Sequence, residues 1–420
     1  MNGTLFQQIL DPANRADPYP LYAEMRRTPV SRQDDGSYVV STHAELYRLL
    51  HDPRISSEDL PDPPLFRWTG HPLSDLFVRP VRSRITARHR PFIFRDPPDH
   101  DLLRRQVMRE FAPARVRAMH RKAEQLTHAL LDGLRDRTDL DLVDDFSYPL
   151  PVTVICELLG VPREDEPRFQ GWATQLATAL EPDRRTDREN AGRTEEAFTA
   201  ITDYLQGLIK EKRRAPQDDL LSGLAAEHDG ERMNDHDLVA TAVLLLVAGH
   251  ETTVNLITNG VLTLLRFPEH LERLRREPEV APRLIEELLR YEPPVHYRTR
   301  LARADIAIGG TTIPEGAPVV LLLASGSRDP LRFADPDRFV PDRANNQHFG
   351  FGGSLHYCVG APLARIEAEV ALVALAQRLQ APRLLADPPP YRPGASLRGP
   401  RHLLLAIDAV TPSASAELAA

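Results

Sequence analysis

The spacing of apolar residues along the chain predicts a structure built mainly from α-helices. Apolar positions recur at helical spacing over residues 97–180, and again from about 196 to 291. Between them, residues 181–195 are strongly polar and are predicted to form a loop or a mobile helix end. A last helix is predicted over 359–380, where apolar residues share one face. These residues are Leu363, Ile366, Val370 and Val373.

Strand signals are short and few. Residues 305–316 predict two short strands around Gly309-Gly310, which is a hairpin pattern, and residues 318–323 predict a buried strand. Residues 61–95 contain six prolines and show no clear periodicity. Such a stretch is typical of a functional or disordered loop. The sequence therefore predicts a mainly helical fold with small β-sheets.

The most apolar run, Leu238 to Ala248, is too short to cross a membrane. Spanning requires about 20 apolar residues, whereas this run ends at Gly249 after eleven. A buried helix that crosses a large protein is the expected structure. The N-terminus has no basic flank followed by an apolar run, so we expect neither a signal peptide nor a membrane anchor.

Composition and charge are those of a soluble globular protein. Of the 420 residues, 42% are hydrophobic and 27% are charged, and the net charge of −8 argues against nucleic-acid binding. The two cysteines, Cys156 and Cys358, form no CxxC or zinc-type pattern. A disulfide framework is therefore excluded, and a cytoplasmic location is expected. No linker divides the sequence, so we expect a single domain over residues 1–420, with a frayed tail at 411–420.

The stretch FGGSLHYCVG, residues 351–360, places one of the cysteines between a glycine-rich loop and a predicted helix. Gly352 and Gly353 allow backbone conformations that are closed to other residues. Unpaired N–H groups at the start of the helix would stabilise a thiolate at Cys358, which would then be a nucleophile or a metal ligand. The alternative is a buried, inert cysteine, which is the commoner fate of a free thiol.

Neither a hydrolase nor a zinc site explains this cysteine well. The catalytic partner of a cysteine is usually distant in sequence, whereas His356 is only two residues away. Zinc requires further cysteine or histidine ligands, and the sequence shows no such cluster. A lone thiolate suits a metal whose other positions are already filled, such as haem iron with its four porphyrin nitrogens.

A second polar feature, AGHETT at residues 248–253, interrupts the apolar helix. A buried carboxylate is costly unless it is paired or neutralised, so Glu251 requires a reason. The hydroxyl of Thr252 beside this acid would form a proton relay. The alternative is a threonine that bonds back to its own helix, with Glu251 at the surface of an irregular turn.

Helical spacing defines two further motifs. In EELLRYEPPV, Glu287 and Arg290 lie three residues apart, which by itself indicates a surface ion pair. In RDPPDHDLLRR, His100 and Arg104 face one side of a helix, and Arg300 follows the later Pro-Pro-Val turn. Taken singly, these last three residues would be solvated surface residues.

Together, these motifs resemble those of the cytochrome P450 superfamily, the haem-thiolate monooxygenases. The loop is similar to the haem-binding signature, AGHETT to the oxygen-binding motif, and the Glu287–Arg290 spacing to the ExxR motif. The resemblance extends from about residue 16 to 408, with the motifs in the family's order. One position departs, since Ser354 stands where the family usually has glycine. The loop residues that carry the likeness are Phe351, Gly352, His356, Cys358, Gly360 and the Leu-Ala-Arg of 363–365.

The resemblance implies the cytochrome P450 fold, with haem b (iron protoporphyrin IX) between the long central helix and the cysteine loop. Cys358 would be the axial ligand of the iron. On the opposite side of the haem, Thr252 and Glu251 would help to protonate the distal oxygen. Gly249 would make room for dioxygen, and Ala248 would face the haem.

The resemblance also assigns the remaining basic residues. The two haem propionates would be held by charge-assisted hydrogen bonds. Arg343 would join Glu287 and Arg290 as the third member of a buried structural group, and Arg298 is an alternative to Arg300. The implied cofactor-binding residues are His100, Arg104, Arg300, His356, Phe351, Gly352 and Gly360.

The implied activity is monooxygenation, in which one atom of O₂ enters an organic substrate and the other becomes water. Electrons would come ultimately from NAD(P)H through a separate ferredoxin or flavodoxin with its reductase. The basic stretch 104–122 would either dock that partner or form a solvated helix face. The alternatives are a peroxygenase driven by H₂O₂ and a haem-binding sensor or carrier without turnover.

The expected substrate is a mainly apolar small molecule that is hydroxylated or epoxidised. A polyketide, a terpenoid or a fatty acid would suit the aromatic residues between 66 and 94. The arginines of 67–95 would bind a carboxylate or face solvent. We expect a monomer without a nucleic-acid or membrane partner.

Overall fold

The computed structural model describes residues 4–58, 90–179, 188–228 and 230–412. Within these ranges the chain is dominated by α-helices, as its apolar spacing predicts. In chain order they are α1 (Leu5–Leu10), α2 (Tyr19–Met25), α3 (His43–Leu50), α4 (Asp99–Glu110), α5 (Pro113–Asp132), α6 (Pro149–Leu159), α7 (Glu166–Ala179), α8 (Arg188–Arg214), α9 (Leu220–Ala225), α10 (Asp235–Arg266), α11 (Pro268–Arg276), α12 (Ala281–Tyr291), α13 (Leu323–Gly326) and α14 (Ala361–Arg378).

The strands are short and form small separate sheets. In the described part of the chain the strands are β1 (Val30–Arg32), β2 (Tyr38–Val40), β3 (Ile55–Ser56), β4 (Asp139–Asp141), β5 (Glu227–His228), β6 (Glu231–Arg232), β7 (Arg298–Ala302), β8 (Ile306–Ile308), β9 (Thr311–Ile313), β10 (Pro318–Leu321), β11 (Leu379–Gln380), β12 (Arg383–Leu384), β13 (Leu404–Ala406) and β14 (Ala409–Val410). The largest sheet has the order β1-β2-β10-β7-β3, in which β10 runs parallel to β2 and antiparallel to β7.

The two helices that carry most of the predicted chemistry have clear local causes. α10 begins with Asp235 and Asp237 in its first turn, where negative charge stabilises the positive end of the helix dipole. α14 follows Gly360 and has Pro362 in its first turn, a position where the missing N–H of proline costs nothing.

The chain folds into two units, each made of more than one segment. The first unit comprises Met1–Ile55, Val116–Pro151 and Thr252–Ala420, and the second comprises Ser56–Arg115 and Val152–Glu251. The expectation of a single domain over residues 1–420 stays a prediction.

Each unit has its own apolar packing. In the first unit, the largest sheet packs against α3, and Val40, Leu46 and Leu321 are fully buried in this cluster. In the second unit, α7 packs on α8 through aromatic rings, with Phe169 and Tyr204 in edge contact at 4.9 Å between ring centroids. Burial of this apolar area is the main favourable term in the folding of both units.

Several predicted elements are confirmed. The helix predicted over 359–380 is α14, the hairpin predicted within 305–316 is β8–β9, and the strand predicted over 318–323 is β10. α10 is long and apolar enough to cross a membrane, but 72% of its most apolar window is buried inside the protein. This burial agrees with the prediction of a core helix.

Other predictions were wrong or fall outside the described residues. The helix expected from about 196 begins earlier, at Arg188, so residues 188–195 form a helix end and not a loop, the first of the two alternatives for this stretch being wrong there. The 27-residue helix is amphipathic, which accommodates these polar residues. Most of the arginine-rich 67–95 stretch lies in 59–89, outside the described residues. At the predicted tail, the N–H of Thr411 donates to Arg378 at 2.9 Å, and residues 413–420 lie outside the described residues.

Candidate active site

The cysteine loop, defined as residues 351–360, is closed by backbone hydrogen bonds. The N–H of Cys358 donates to the carbonyl of Phe351 at 3.0 Å. The N–H of Tyr357 donates to the carbonyl of Ser354 at 3.1 Å and closes a single 3₁₀ turn. These bonds fix Cys358 three residues before the start of α14.

Two residues of the loop occupy the left-handed region of backbone conformation. Gly352 has φ of 73° and Ser354 has φ of 54°. Glycine adopts this region without cost, whereas a residue with a side chain loses roughly 1–2 kcal/mol. The serine that departs from the family pattern thus occupies a position where glycine would be less strained.

The two cysteines have different environments. Cys156 lies on α6 and is fully buried. Burial, together with the charges of Glu166 and Glu157, raises the pKa of its thiol to about 12. Cys358 is half-buried, and its sulfur lies 3.9 Å from the point where a side chain on Gly360 would begin. Cys358 is therefore the better candidate for a reactive or metal-binding thiolate.

The donor set around this cysteine fits haem iron. Among the described residues, the only group of three or more potential metal ligands is Asp141, Asp144 and His402, which does not include Cys358. A single thiolate cannot complete a zinc site. It does complete the coordination of an iron that a porphyrin already holds through four nitrogens.

α10 is buried along most of its length, except on one face. Leu244, Ala248 and Thr252 follow one another at intervals of four residues; Ala248 is exposed, and the other two are half-buried. This spacing places them on the same side of the helix. Glu251, next to the threonine in sequence, is only 6% exposed. The helix therefore presents a small residue and a hydroxyl on its accessible face, and the adjoining carboxylate is buried, not at the surface of an irregular turn.

Gly249 has a packing reason to be glycine. A β-carbon added there would lie 3.3 Å from the terminal methyl of Ile155 on α6. The missing side chain therefore permits close approach of the two helices within the second unit. Its predicted role in making room for dioxygen stays a prediction.

The ExxR motif forms a buried ion pair rather than a surface pair. Arg290 donates to the two oxygens of Glu287 at 2.8 and 2.7 Å, and both side chains are fully buried. Arg290 also donates to the carbonyls of Ser327, Pro336 and Arg338 at 3.1, 2.7 and 2.9 Å. Because every charged group is hydrogen-bonded, the desolvation of the pair is compensated.

The predicted third member of this group is confirmed. The Nε of Arg343 donates to Glu287 at 3.3 Å. Two further donors reach the same carboxylate, namely the N–H of Val340 at 2.8 Å and the amide of Asn346 at 3.2 Å. The ExxR group thus joins α12 to the irregular segment that leads into the cysteine loop.

The four residues predicted to bind the propionates lie in three elements. His100 and Arg104 are on α4 in the second unit, where His100 is fully buried and its Nδ1 lies 2.8 Å from an oxygen of Asp101. In the first unit, His356 is in the cysteine loop and Arg300 is on β7. The alternative, Arg298, lies on the same face of β7 and donates to Ser396 at 3.1 Å.

Sequence reasoning missed one cluster beside the loop. Arg365 on α14 binds Glu286 on α12, and His348 binds the same carboxylate. Arg365 appeared in the sequence motif without a role, and Glu286 and His348 were not singled out. Residues separated by 62 and 79 positions give no local signal of contact.

Comparison with known proteins identifies the family of this site. A family model described as Cytochrome P450 matches residues 73–401. The chain belongs to the cytochrome P450 family. It is 39% identical to Cytochrome P450 107B1 of Saccharopolyspora erythraea, covering 91% of this chain and 92% of that one. It is 36% identical to 6-deoxyerythronolide B hydroxylase of the same organism, covering 93% and 96%.

A solved P450 structure shows the same fold. The cytochrome P450 PksS of the bacillaene polyketide synthase from Bacillus subtilis superimposes with a TM-score of 0.83 at 30% identity, covering 95% of this chain and 99% of that one. As a P450, this protein is a monooxygenase that uses haem b bound through a cysteine thiolate. Its electrons derive from NAD(P)H through redox partner proteins.

Proposed function

We propose that this P450 hydroxylates or epoxidises an apolar small molecule of the polyketide class in secondary metabolism. Two of the similar proteins support this class by their names, one as a hydroxylase of 6-deoxyerythronolide B and one as part of a polyketide synthase system. A terpenoid or a fatty acid is the alternative substrate. The observation that carries the proposed chemistry is the accessible Ala248–Thr252 face of α10 beside the buried Glu251.

The cysteine loop would hold the cofactor. Cys358 would supply the thiolate, and the backbone bonds that close the loop keep the sulfur in place. Gly352 and Gly360, together with Phe351, would let the loop lie close to the porphyrin. His356 would reach a propionate from the same loop. His100, Arg104 and Arg300 would supply the other charge-assisted hydrogen bonds to the propionates.

The AGHETT segment would control protons. When bound, the haem supplies the activation of O₂ that lets one oxygen atom enter the substrate while two protons and two electrons convert the other to water. Thr252 would hold a proton donor at its Oγ1 on the accessible face of the helix. Glu251 would pass protons towards that hydroxyl from its buried carboxyl group. Ala248 would face the haem with its single methyl group, and Gly249 would make room for dioxygen.

The electron donor would be a ferredoxin or a flavodoxin with its reductase. In the predicted docking stretch 104–122, Arg105, Arg109, Arg117 and Arg121 are exposed, whereas Arg115 is engaged by Glu110 and Asp218. Exposed positive charge steers an acidic partner and raises the association rate. The cytoplasmic location, the monomeric state and the single domain remain part of the same proposal.

The first experiment is the ferrous–CO spectrum of the purified protein. We expect a strongly red-shifted Soret band in the wild type and in Cys156→Ala, and its loss in Cys358→Ser. A band that survives in Cys358→Ser would overturn the assignment of the ligand. Cys156→Ala is the matched control because it removes the other thiol of the chain.

The second experiment tests the substrate and the source of oxidising equivalents. Macrolactones, fatty acids and terpenoids are titrated while the spin state of the haem is followed. A macrolactone should give the largest shift, and its oxidation should consume NAD(P)H and O₂ in the presence of a redox partner. Product formation with H₂O₂ but not with O₂ and reductant would establish the peroxygenase alternative. Binding without any turnover would favour the sensor or carrier.

A further inference from the structure

A cluster of three charged or polar residues joins α12 to the cysteine loop. We name it the Glu286 clamp and define it as Glu286, His348 and Arg365. Arg365 donates to the two oxygens of Glu286 from Nε at 2.6 Å and from Nη2 at 3.1 Å. His348 Nε2 lies 3.1 Å from the same carboxylate. The carboxylate therefore binds α14 and the segment before the loop at once.

The hydrogen bonds of His348 fix its role in the clamp. The N–H of Gly350 donates to His348 Nδ1 at 3.0 Å, so this nitrogen must be an acceptor. In the neutral imidazole the proton then lies on Nε2, from which it is donated to Glu286. The clamp therefore has a donor on each side of one acceptor.

Arg365 makes the closest contacts between the clamp and the loop, and the ring of His348 also lies 6.4 Å from the ring of Phe351. Its guanidinium lies 4.5 Å from the ring centroid of Phe351, and its Nη2 donates to the hydroxyl of Tyr357 at 3.2 Å. Phe351 and Tyr357 also form an edge contact at 6.1 Å between centroids. The backbone carbonyl of Phe351 accepts a hydrogen bond from the backbone N–H of Cys358. One cation thus touches the residue that bonds to Cys358 and the residue that precedes it.

Glu286 and Arg365 keep their charges near neutral pH. Burial acts to raise the pKa of Glu286, but the hydrogen bonds from His348 and Arg365 outweigh it and hold this pKa at about 2. The bond to Glu286 raises the pKa of Arg365. The side chains of Arg365 and Glu286 are 35% and 33% exposed, so solvent screens their field only partly.

We propose that Glu286 and Arg365 are positioning residues for the Cys358 thiolate, and that their charges set the reduction potential of the haem. This inference rests on the assignment of Cys358 as the axial ligand. Arg365 contacts the loop, whereas Glu286 is reached through Arg365, so the positive charge acts on the thiolate at the shorter range. A nearby cation stabilises the reduced, more negative state of the haem–thiolate unit.

The two charge-neutralising variants should therefore act in opposite directions. Arg365→Gln removes a cation beside the loop and should lower the midpoint potential. Glu286→Gln leaves the charge of Arg365 uncompensated and should raise it. A cluster that only maintained the shape of the loop would shift the potential in the same direction in both variants, because both break the same bidentate pair.

The test uses the haem-loaded protein, with spectroelectrochemical titration and the ferrous–CO spectrum as its readouts. Arg365→Lys keeps the charge but not the bidentate geometry. It should keep the wild-type potential while increasing the fraction of protein without the thiolate band. Tyr357→Phe removes one hydrogen bond and no charge. It should also keep the wild-type potential, and it should increase the fraction of protein without the thiolate band by less than Arg365→Lys does.

The Arg266–Asp387 pair provides a matched control. Its side chains are 33% and 44% exposed, compared with 35% and 33% in the clamp pair, and it joins the end of α10 to a distant loop. Arg266→Gln and Asp387→Asn should lower the unfolding midpoint in urea without shifting the potential. Shifts of one sign in both clamp variants, or shifts no larger than those of the control pair, would overturn the proposal. A wild type without the thiolate band would instead refute the assignment of the ligand.

Discussion

Arg343 donates to Glu287 across 3.3 Å and joins two segments that lie 56 residues apart in sequence. The carboxylate that receives this bond is already paired with Arg290, and both members of that pair are fully buried. The irregular segment before the cysteine loop is thus attached to α12 through one buried carboxylate. Its position depends on charge as well as on apolar packing.

Removal of this carboxylate charge should be among the costlier single substitutions. Glu287→Gln leaves Arg290 buried without its counter-charge, and breaking a buried pair costs about 3–5 kcal/mol. Arg343→Gln should cost less, because Glu287 keeps its bidentate pair. Urea denaturation measures both free energies of unfolding.

The control for this prediction is an exposed pair. Arg383 and Asp408 are 55% and 61% exposed, and Asp408→Asn should change the free energy of unfolding by less than about 1 kcal/mol. If Glu287→Gln cost no more than Asp408→Asn, the motif would have no role in stability. The double variant of Glu287 and Arg343 would then also show no coupling.

Ser354 offers a substitution that should stabilise the loop. Its φ of 54° costs a residue with a side chain roughly 1–2 kcal/mol, a cost that glycine does not have. Substitution by glycine would remove this cost, but part of the gain in stability is offset because glycine loses more conformational entropy on folding than serine does. Ser354→Gly should therefore raise the unfolding free energy by up to about 1 kcal/mol. Ser354→Ala removes the hydroxyl and keeps the strain, so it should show no gain. A larger gain in Ser354→Ala than in Ser354→Gly would contradict the argument.

Because Gly249 is closely packed, we expect its substitution by alanine to affect stability differently from the same substitution at Gly207. Gly207→Ala on α8 meets no atom within 4 Å and should gain about 0.4–1 kcal/mol. Gly249→Ala gains the same helix propensity but brings a methyl within 3.3 Å of Ile155. It should therefore be less stable than Gly207→Ala by about 1 kcal/mol or more. Ile155→Val should remove this difference, and persistence of the difference would show that another contact causes it.

The fold class and the separate motifs could be predicted from the sequence, because they depend on local spacing. The helix α14 follows from apolar residues three and four apart, but its single apolar face does not, because Ala371 and Leu372 are buried whereas Ile366 and Val373 are half-buried. The contact of Arg343 with Glu287 follows from the likeness to the family. The Glu286 clamp could not be predicted in this way. His348 and Arg365 approach Glu286 only after α12, the loop and α14 have packed together. The backbone conformation at Ser354 is also invisible in a sequence that has serine where the family usually has glycine.

Glu367 predicts a dependence of stability on pH. It is 3% exposed on α14, and burial raises its pKa from 4.5 to about 8. The folded chain therefore keeps this proton up to about pH 8, whereas the unfolded chain loses it near pH 4.5. The contribution of the Glu367 proton to stability is therefore complete below pH 4.5, the pKa in the unfolded chain, and is lost as the pH rises through about 8, the pKa in the folded chain.

Urea denaturation between pH 5 and pH 9 measures this effect. The free energy of unfolding should fall with rising pH in the wild type, by a few kcal/mol at most, and Glu367→Gln should reduce the slope. Glu369→Gln, a half-buried glutamate on the same helix, is the control for loss of a carboxylate. Equal slopes in the wild type and Glu367→Gln would show that Glu367 is not the group responsible.

The proton relay predicts that Thr252→Ala uncouples reductant consumption from product formation. Without the hydroxyl on the accessible face of α10, electrons still arrive but protons are no longer delivered at the right position. Proton transfer by a correctly positioned group accelerates a reaction by about 10²–10⁴-fold. The yield of product per NAD(P)H should therefore fall by an order of magnitude or more, with the electrons appearing in hydrogen peroxide or water.

Thr258 lies on the same helix and supplies the control for this last prediction. Its hydroxyl donates to the carbonyl of Val254 at 2.8 Å, which is the back-bonded state that was the alternative for Thr252. Thr258→Ala should lower stability slightly and leave the yield per NAD(P)H unchanged, because its hydroxyl is buried and already used. Equal yields in the wild type and Thr252→Ala would show that Thr252 is not part of the proton path. A parallel loss in both variants would instead mean that the yield reports the integrity of α10 rather than a relay.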